Sequence, residues 1–321
     1  RSSGDILPDY LNIFLNSSFG IKQIKKFSRR AVNQANVNAE ELKQIKIAIL
    51  PIDFQKEIEE LSNKAWGSIE KSKTLYIQAE NLLLEELGLT NFEKDESLSW
   101  VVNLSDIKTV SRMDAEYFQP KYEKLISKLK LHNAKQLGEL VSMKKGIEPG
   151  SEIYQEKGKL FIRVSNITKN GLVDGSQKYI SDDFYRKLQK EYEPKIGDIL
   201  LTKDATAGVA YVLKEPIKGI IAGGILRLKL KEEIELEYLA LYINSIAGQM
   251  QVRRDAGGSV IAHWKPDQIK AMQIPILSKS IQQKISNLVQ RSHEARKKSK
   301  ELLEEAKHKV EQLIESDQIV N

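Results

Sequence analysis

The sequence predicts an α+β protein in which an irregular mixed β/α module is joined to two long helices that pair as an antiparallel coiled coil, arranged as a pseudo-twofold repeat. Three observations predict it. The chain repeats itself at an offset of about 227 residues. Each copy of the repeat runs into a charged segment whose apolar or small residues recur at alternating spacings of three and four. Between the first such segment and the second copy lie short β-type runs punctuated by Gly and Pro.

The repeat is read directly. YLNIFLNSSFGIKQI from Tyr10 faces YLALYINSIAGQMQV from Tyr238, so that Tyr10, Leu11, Asn16, Ser17, Gly20 and Gln23 match Tyr238, Leu239, Asn244, Ser245, Gly248 and Gln251. After one residue of slippage, LKQIKIAILPIDFQKEI from Leu42 faces IKAMQIPILSKSIQQKI from Ile269, bringing Gln55 and Ile58 opposite Gln282 and Ile285. Judged against the second copy, the first lacks about 140 residues before its final helix and strand.

Residues 1–52 read as the end of a module: an amphipathic helix near 8–27, a polar turn, a short helix near 39–44 and a strand KIAIL closing on Pro51. Residues 53–88 form the first long helix, with its seam at Ile58, Leu61, Ala65, Ser68, Ser72, Leu75 and Leu82. Residues 89–112 are a connector with a strand in LSWVVNL. Residues 113–277 make the complete module: RMDAEYFQPKYEKLISKLK reads as a helix, and GKLFIRVS, GLVDGSQKYI, GDILLTK, GVAYVL and GIIAGGILRLKL as strands of a curved sheet. Residues 278–321 form the second long helix, in phase with the first, through Ile285, Leu288, Ser292, Ala295, Ser299, Leu302 and Leu313; Lys309 interrupts the pattern with Val310 beside it. Small residues sit at the centre of both seams and larger ones at the ends, so antiparallel pairing matches small with small. At ~1.5 Å per residue each helix spans about 50 Å, a ruler between two similar heads.

Bulk properties narrow the classes. With 321 residues, 41% hydrophobic, the chain has material for two domains. There is no cysteine, which rules out disulfides, thiolate zinc sites and a cysteine nucleophile. No apolar run approaches 18 residues, so no membrane partner is expected. A net charge of +6 is compatible with nucleic acid without requiring it. No PP dipeptide, GxxxxGK[ST] or GxGxxG occurs, which speaks against a base-flipping adenine methyltransferase, a P-loop ATPase and a dinucleotide enzyme. Asp183 with Glu193 and Lys195 resembles a nuclease metal triplet only loosely, since Pro194 splits it. His132, His263, His293 and His308 lack metal-ligand spacing.

RMDAEYFQPKY, QLGELVSMKKG, FIRVSNI, KIGDILLTKDATAG, EYLALYINS, GGSVIAHW, and IPIL followed by IQQKI occur in an order that resembles the specificity subunit of type I restriction-modification enzymes from Met113 to Ile314, with the end of a second copy over 5–88. The resemblance implies target-recognition domains alternating with paired helices that hold them apart and carry methyltransferase subunits, and later restriction-translocase subunits. It implies a non-catalytic protein, in the prokaryotic cytoplasm and associated with DNA, whose partner uses S-adenosylmethionine. This chain departs from the pattern in having one complete recognition domain. It is therefore expected to read one half-site of double-stranded DNA, and the apolar surface of the incomplete module favours self-association. The competing expectation is a coiled-coil structural protein without DNA specificity.

If the module binds DNA, its polar loops divide into phosphate clamps and base readers. Lys144 and Lys145 precede Gly146 and suit phosphate contact. Arg163, Ser165 and Asn166 at a strand end, with Lys169 and Asn170 in the turn, are the preferred base readers, unless Asn166 caps the turn. Lys203 and Thr206 lie in a glycine-closed loop that Asp204 would pin. Arg253, Arg254, Gly258, Ser259, His263 and Trp264 form the richest segment, although arginines ending a helix also satisfy its dipole. The matching segment of the first copy places Asn33, Gln34 and Asn36 there instead, as two readers of different targets would.

Overall fold

The duplication is written in hydrogen bonds. In the computed structural model, which describes residues 6–31, 34–92, 99–110, 112–173, 177–256 and 263–319, the Tyr10 hydroxyl donates to the Ala48 carbonyl at 2.7 Å and the Tyr238 hydroxyl to the Pro275 carbonyl at 2.8 Å. Gln55 accepts from the Leu7 amide and donates to the Leu50 carbonyl, both at 2.8 Å. Gln282 does the same with the Glu235 amide at 3.1 Å and the Leu277 carbonyl at 2.8 Å. Gln23 binds both backbone groups of Lys46, and Gln251 both of Gln273. The chain divides into two units, Arg1–Leu75 with Arg291–Asn321, and Tyr76–Gln290.

In the first unit, the stretch expected as one helix is broken into α1 (Pro8–Asn16) and α2 (Ser18–Phe27). Ser17 is the cause: its extended backbone ends α1, and its hydroxyl accepts from the Gly20 amide to cap α2. The expected polar turn is a hairpin of β1 (Arg29–Ala31) and β2 (Gln34–Asn36); Asn33 of that segment lies outside the described residues. After α3 (Ala39–Leu42), KIAIL does not form a strand, because no neighbouring strand pairs with it among the described residues. The first long helix, α4, is Ile52–Glu86.

Within this unit α4 pairs antiparallel with the chain's last helix. Ser72 faces Ser292, where Ser292 Oγ donates to the Ser72 carbonyl at 2.7 Å and the two hydroxyls lie 3.1 Å apart, while Glu57 pairs with Lys309 at 2.6 Å. Ile58, Leu61 and Ala65 share a core with Leu302, Ala306, Val310 and Ile314. The expected seam shifts by one residue in places. Val310 is buried in place of Lys309, and Ile314 more fully than Leu313. A straight helix repeats every 3.6 residues rather than 3.5, so a strict heptad reading drifts by ~20° per heptad.

The second unit begins with the last turns of α4. There the buried positions are Tyr76, Ala79 and Leu83, with Leu82 only partly covered, the same drift. The expected strand LSWVVNL is absent over its described residues; Val101 is almost fully exposed, with no face to bury, and α5 (Leu104–Val110) follows. The predicted helix from Arg112 is a single 3₁₀ turn at Ala115–Phe118 followed by α6 (Pro120–Lys130), since Pro120 can open a helix but not continue one. Next come β3 (Lys135–Gln136), α7 (Leu137–Leu140), β4 (Val141–Lys145), β5 (Lys159–Ile162), the short hairpin β6 (Ile167–Thr168) and β7 (Gly171–Leu172), β8 (Lys178–Ile180) and α8 (Asp182–Tyr192). The rest is β9 (Ile199–Thr202), β10 (Ala210–Val212), β11 (Gly219–Ile221), β12 (Ile225–Leu230), α9 (Leu236–Asn244), α10 (Ile246–Asp255), α11 (Pro266–Ala271), β13 (Gln273–Ile274) and α12 (Lys279–Ile319).

Strands order as β10-β9-β12-β4, all antiparallel, and as β11-β5-β8, with β11 parallel to β5. The main core joins α6, β9 and α9 to the helix ends: Leu125, Leu129, Leu201, Tyr238 and Tyr242 pack with Leu83, Leu87, Ile285 and Val289. The unit therefore takes in residues 76–112 and 278–290, which the sequence reading had set apart as helix and connector.

Candidate nucleic-acid interface

Five strand ends meet at the turn Ala222–Gly224. The Ala222 amide donates to Ile162 at the end of β5, the Gly223 amide to Ile147, and the Gly146 amide to Ile225, at 2.7 to 3.1 Å. Lys203, leaving β9, donates its amide to the Gly224 carbonyl and accepts from the Trp264 amide, both at 2.9 Å. Glycine is required at the crossing: a Cβ on Gly146 would lie 2.3 Å from the Ile221 and Ala222 carbonyl oxygens, and one on Gly224 2.8 Å from Val164 Cγ2. The backbone thus gathers the loops carrying Lys145, Arg163, Lys203 and His263, four segments singled out separately in the sequence. The gathering turn itself was missed, because GIIAGGIL reads as one more strand; its paired glycines were the available signal.

Asp204 is the centre of the polar side-chain network here. Its Oδ1 lies 2.8 Å from His263 Nδ1 and its Oδ2 2.6 Å from Lys203 Nζ. Burial pushes the Asp204 pKa up, but the bonds from Lys203 and His263 outweigh it and hold the carboxyl below its ordinary range. The His263 side chain is 63% exposed. Beside it opens a cleft of about 800 Å³ lined by Arg112, Asp114, Arg253, Arg254, His263 and Lys265.

Arg112 was not anticipated as a site residue. It holds Asp114 with two bonds of 2.8 and 2.6 Å and donates to the Arg254 and Asp255 carbonyls at 3.1 and 3.2 Å, clamping the end of α10. The guanidinium groups of Arg112 and Arg254 each lie 4.5 Å from the Tyr117 ring centroid. Asp255 beside them is half-buried, and the loss of solvent lifts its pKa to about 6 against the opposing pull of Arg254 and Arg112.

Other expected residues are placed differently. Asn166 is 1% exposed and its Oδ1 accepts from the Arg163 amide at 3.0 Å, so it caps the turn and is not presented to a base. Trp264 is 1% exposed in the main core, where its indole fills space under the sheet, so it is no surface contact. Lys144 is turned to the opposite face from Lys145 by strand alternation; it pairs with Glu191 at 2.6 Å and covers the Tyr192 ring. Lys145 pairs with Glu148 at 2.7 Å. Lys169 lies over the Tyr76 ring at 4.4 Å and 3.6 Å from Glu80, joining the β6–β7 hairpin to α4. Asn170 follows in that hairpin, where its amide donates to Thr168 Oγ1, while Ser165 and Thr206 are exposed. Gly258 and Ser259 lie outside the described residues. Of the loose nuclease triplet, Asp183 pairs with Arg186 and Glu193 bonds Tyr185 and Lys195. No group of acidic and histidine side chains arranged to hold a metal occurs among the described residues, and no described helix is long and apolar enough to cross a membrane.

Residues 131–307 match the family described as Type I restriction modification DNA specificity domain. Among solved structures, the chain is similar to the HsdS subunit from Thermoanaerobacter tengcongensis, at 13% identity and a TM-score of 0.38 over 97% of this chain and 71% of that one. It is also similar to the S subunit of a type I restriction-modification system from M. genitalium, at 15% identity and a TM-score of 0.43 over 95% and 71%. No curated protein matches.

Proposed function

The chain belongs to the type I restriction-modification DNA specificity family, whose members recognise DNA without catalysing a reaction on it, and on that premise we propose that its complete module reads one half-site of a divided duplex target. The observation that carries this reading is the convergence of the Lys145, Arg163, Lys203 and His263 loops on one glycine turn. Polar side chains on a rigid set of strand ends can divide the work of holding phosphates and reading base edges. The paired helices set the distance to the other half-site and dock the methyltransferase subunits, which bring S-adenosylmethionine, and the restriction subunits. Selection from randomised duplexes by this chain with a methyltransferase subunit tests the proposal: one short enriched motif supports it, and no enrichment above salt-dependent background refutes it in favour of a helical scaffold.

Self-association completes the reading. In the second unit, β13 pairs with β3, the Ile276 amide donates to His132, the Leu137 amide to Met272, and Ile269 is fully buried. The matching residues of the first unit have no strand beside them among the described residues, and Leu42 is 49% and Ile49 65% exposed. Exposed aliphatic side chains on a face that its counterpart buries favour association of two copies. Sedimentation of the wild type and of Leu42→Glu/Ile49→Glu reads this: a dimer that the variant dissolves supports it, and a monomeric wild type at micromolar concentration refutes it.

A further inference from the structure

The DNA-recognition reading leaves open what the exposed imidazole beside the cleft does. Three features make it a built group and not a chance surface histidine. His263 and Asp204 form an isolated antiparallel bridge, fixed by the Trp264 amide on the Lys203 carbonyl, so backbone and ring are held together. Asp204 is itself held: Lys203, only 12% exposed, occupies its second oxygen. The ionised carboxylate accepts a proton-bearing Nδ1, which leaves Nε2 as the ring edge available to a ligand.

Resting on that reading, we propose that His263 contacts a DNA phosphate through Nε2–H of its imidazolium, with Asp204 as its positioning residue. Because Nδ1–H is committed to Asp204, only the doubly protonated ring can donate from Nε2. A phosphate brought into the cleft supplies the negative charge that favours that form, so DNA binding takes up a proton. Arg253, Arg254 and Lys265 line the same cleft, Lys203 stands beside Asp204, and these cations attract the phosphate. Asp114, Glu116 and Asp255 line the same cleft; the Asp255 pKa is lifted to about 6, so its ionisation also weakens binding as pH rises. The same Asp255 effect is present in a His263 variant, so the difference between the two profiles belongs to His263.

The experiment measures binding of the full chain to a labelled random-sequence duplex at fixed low salt from pH 6 to pH 8, for wild type, His263→Gln and Asp204→Asn. Wild type is expected to weaken about tenfold more than His263→Gln over that range, the worth of one charge-assisted bond. At pH 6, His263→Gln should lower the salt slope by about 1. Asp204→Asn keeps an acceptor for Nδ1 but removes the charge, moving the wild-type transition to lower pH. Parallel profiles for wild type and His263→Gln overturn the inference, as does an altered selected motif with an unchanged salt slope, which would make His263 a base reader. Wild type that binds no duplex at pH 6 and low salt overturns the DNA-recognition reading itself, a separate result.

Discussion

Gln282 and Gln55 tie each long helix to the module before it, and removing either should loosen that joint measurably. Gln282→Leu nearly preserves volume at a side chain 2% exposed but deletes its bonds to the Leu277 carbonyl and the Glu235 amide. Each bond is worth about 1 kcal/mol net, and stranding a buried partner costs about 1–3 kcal/mol more. Leu277 is buried and the Glu235 amide opens α9, so the expected loss is roughly 2–4 kcal/mol. In native-state hydrogen exchange that is a roughly 30- to 700-fold fall in protection across α9 and the first turns of α12. Exchange is the suitable assay because a chain of two units has no single unfolding free energy. Gln55→Leu should act likewise on α1 and the start of α4, through Leu7 and Leu50. A fall below about threefold at both sites would refute the idea that these glutamines make the joint; a fall at one alone would refute the equivalence of the two copies.

Gly146→Ala forces β4 away from the Ile221 and Ala222 carbonyls, which backbone cannot yield cheaply; a loss of about 1–3 kcal/mol in hydrogen-exchange protection of β4 and β12 and weaker duplex binding are expected together. Lys169→Ala removes a half-exposed contact to Tyr76 and Glu80, costing under about 1 kcal/mol, and should leave the salt slope of DNA binding unchanged; a slope lowered by about 1 would return Lys169 to the interface. Asp255 has a folded pKa raised to about 6, so its stabilising contribution is present below its unfolded value near 3.8 and is lost as pH rises through 6. Asp255→Asn should therefore raise the thermal midpoint at pH 7.5 and leave it unchanged at pH 3.5. Equal effects at both values would contradict the burial argument.

Much of the helical framework was legible because periodicity and repetition are local. The long helices were placed to within one or two residues of Ile52–Glu86 and Lys279–Ile319, and the small centre of the seam brought Ser72 and Ser292 face to face. KIAIL and LSWVVNL were misread for one reason. Their apolar patterns suit a strand, but a strand exists only where another chain segment takes its hydrogen bonds. The same sequence motif pairs as β13 in the second unit, where β3 is at hand.

The sequence by itself determined the duplication, the glutamine and serine positions that recur with it, and which loops were polar enough to meet a nucleic acid. Composition and spacing carry that information because each depends on residue type alone. The tertiary structure decided which of those polar residues remain available. Asn166 was drawn into a turn cap and Lys169 onto Tyr76, while Asp204 oriented His263 and Arg112 clamped the end of α10. A side chain's partner depends on what the fold brings within reach, and here Lys169, Asp204 and Arg112 each have a partner from a segment 59 to 143 residues away.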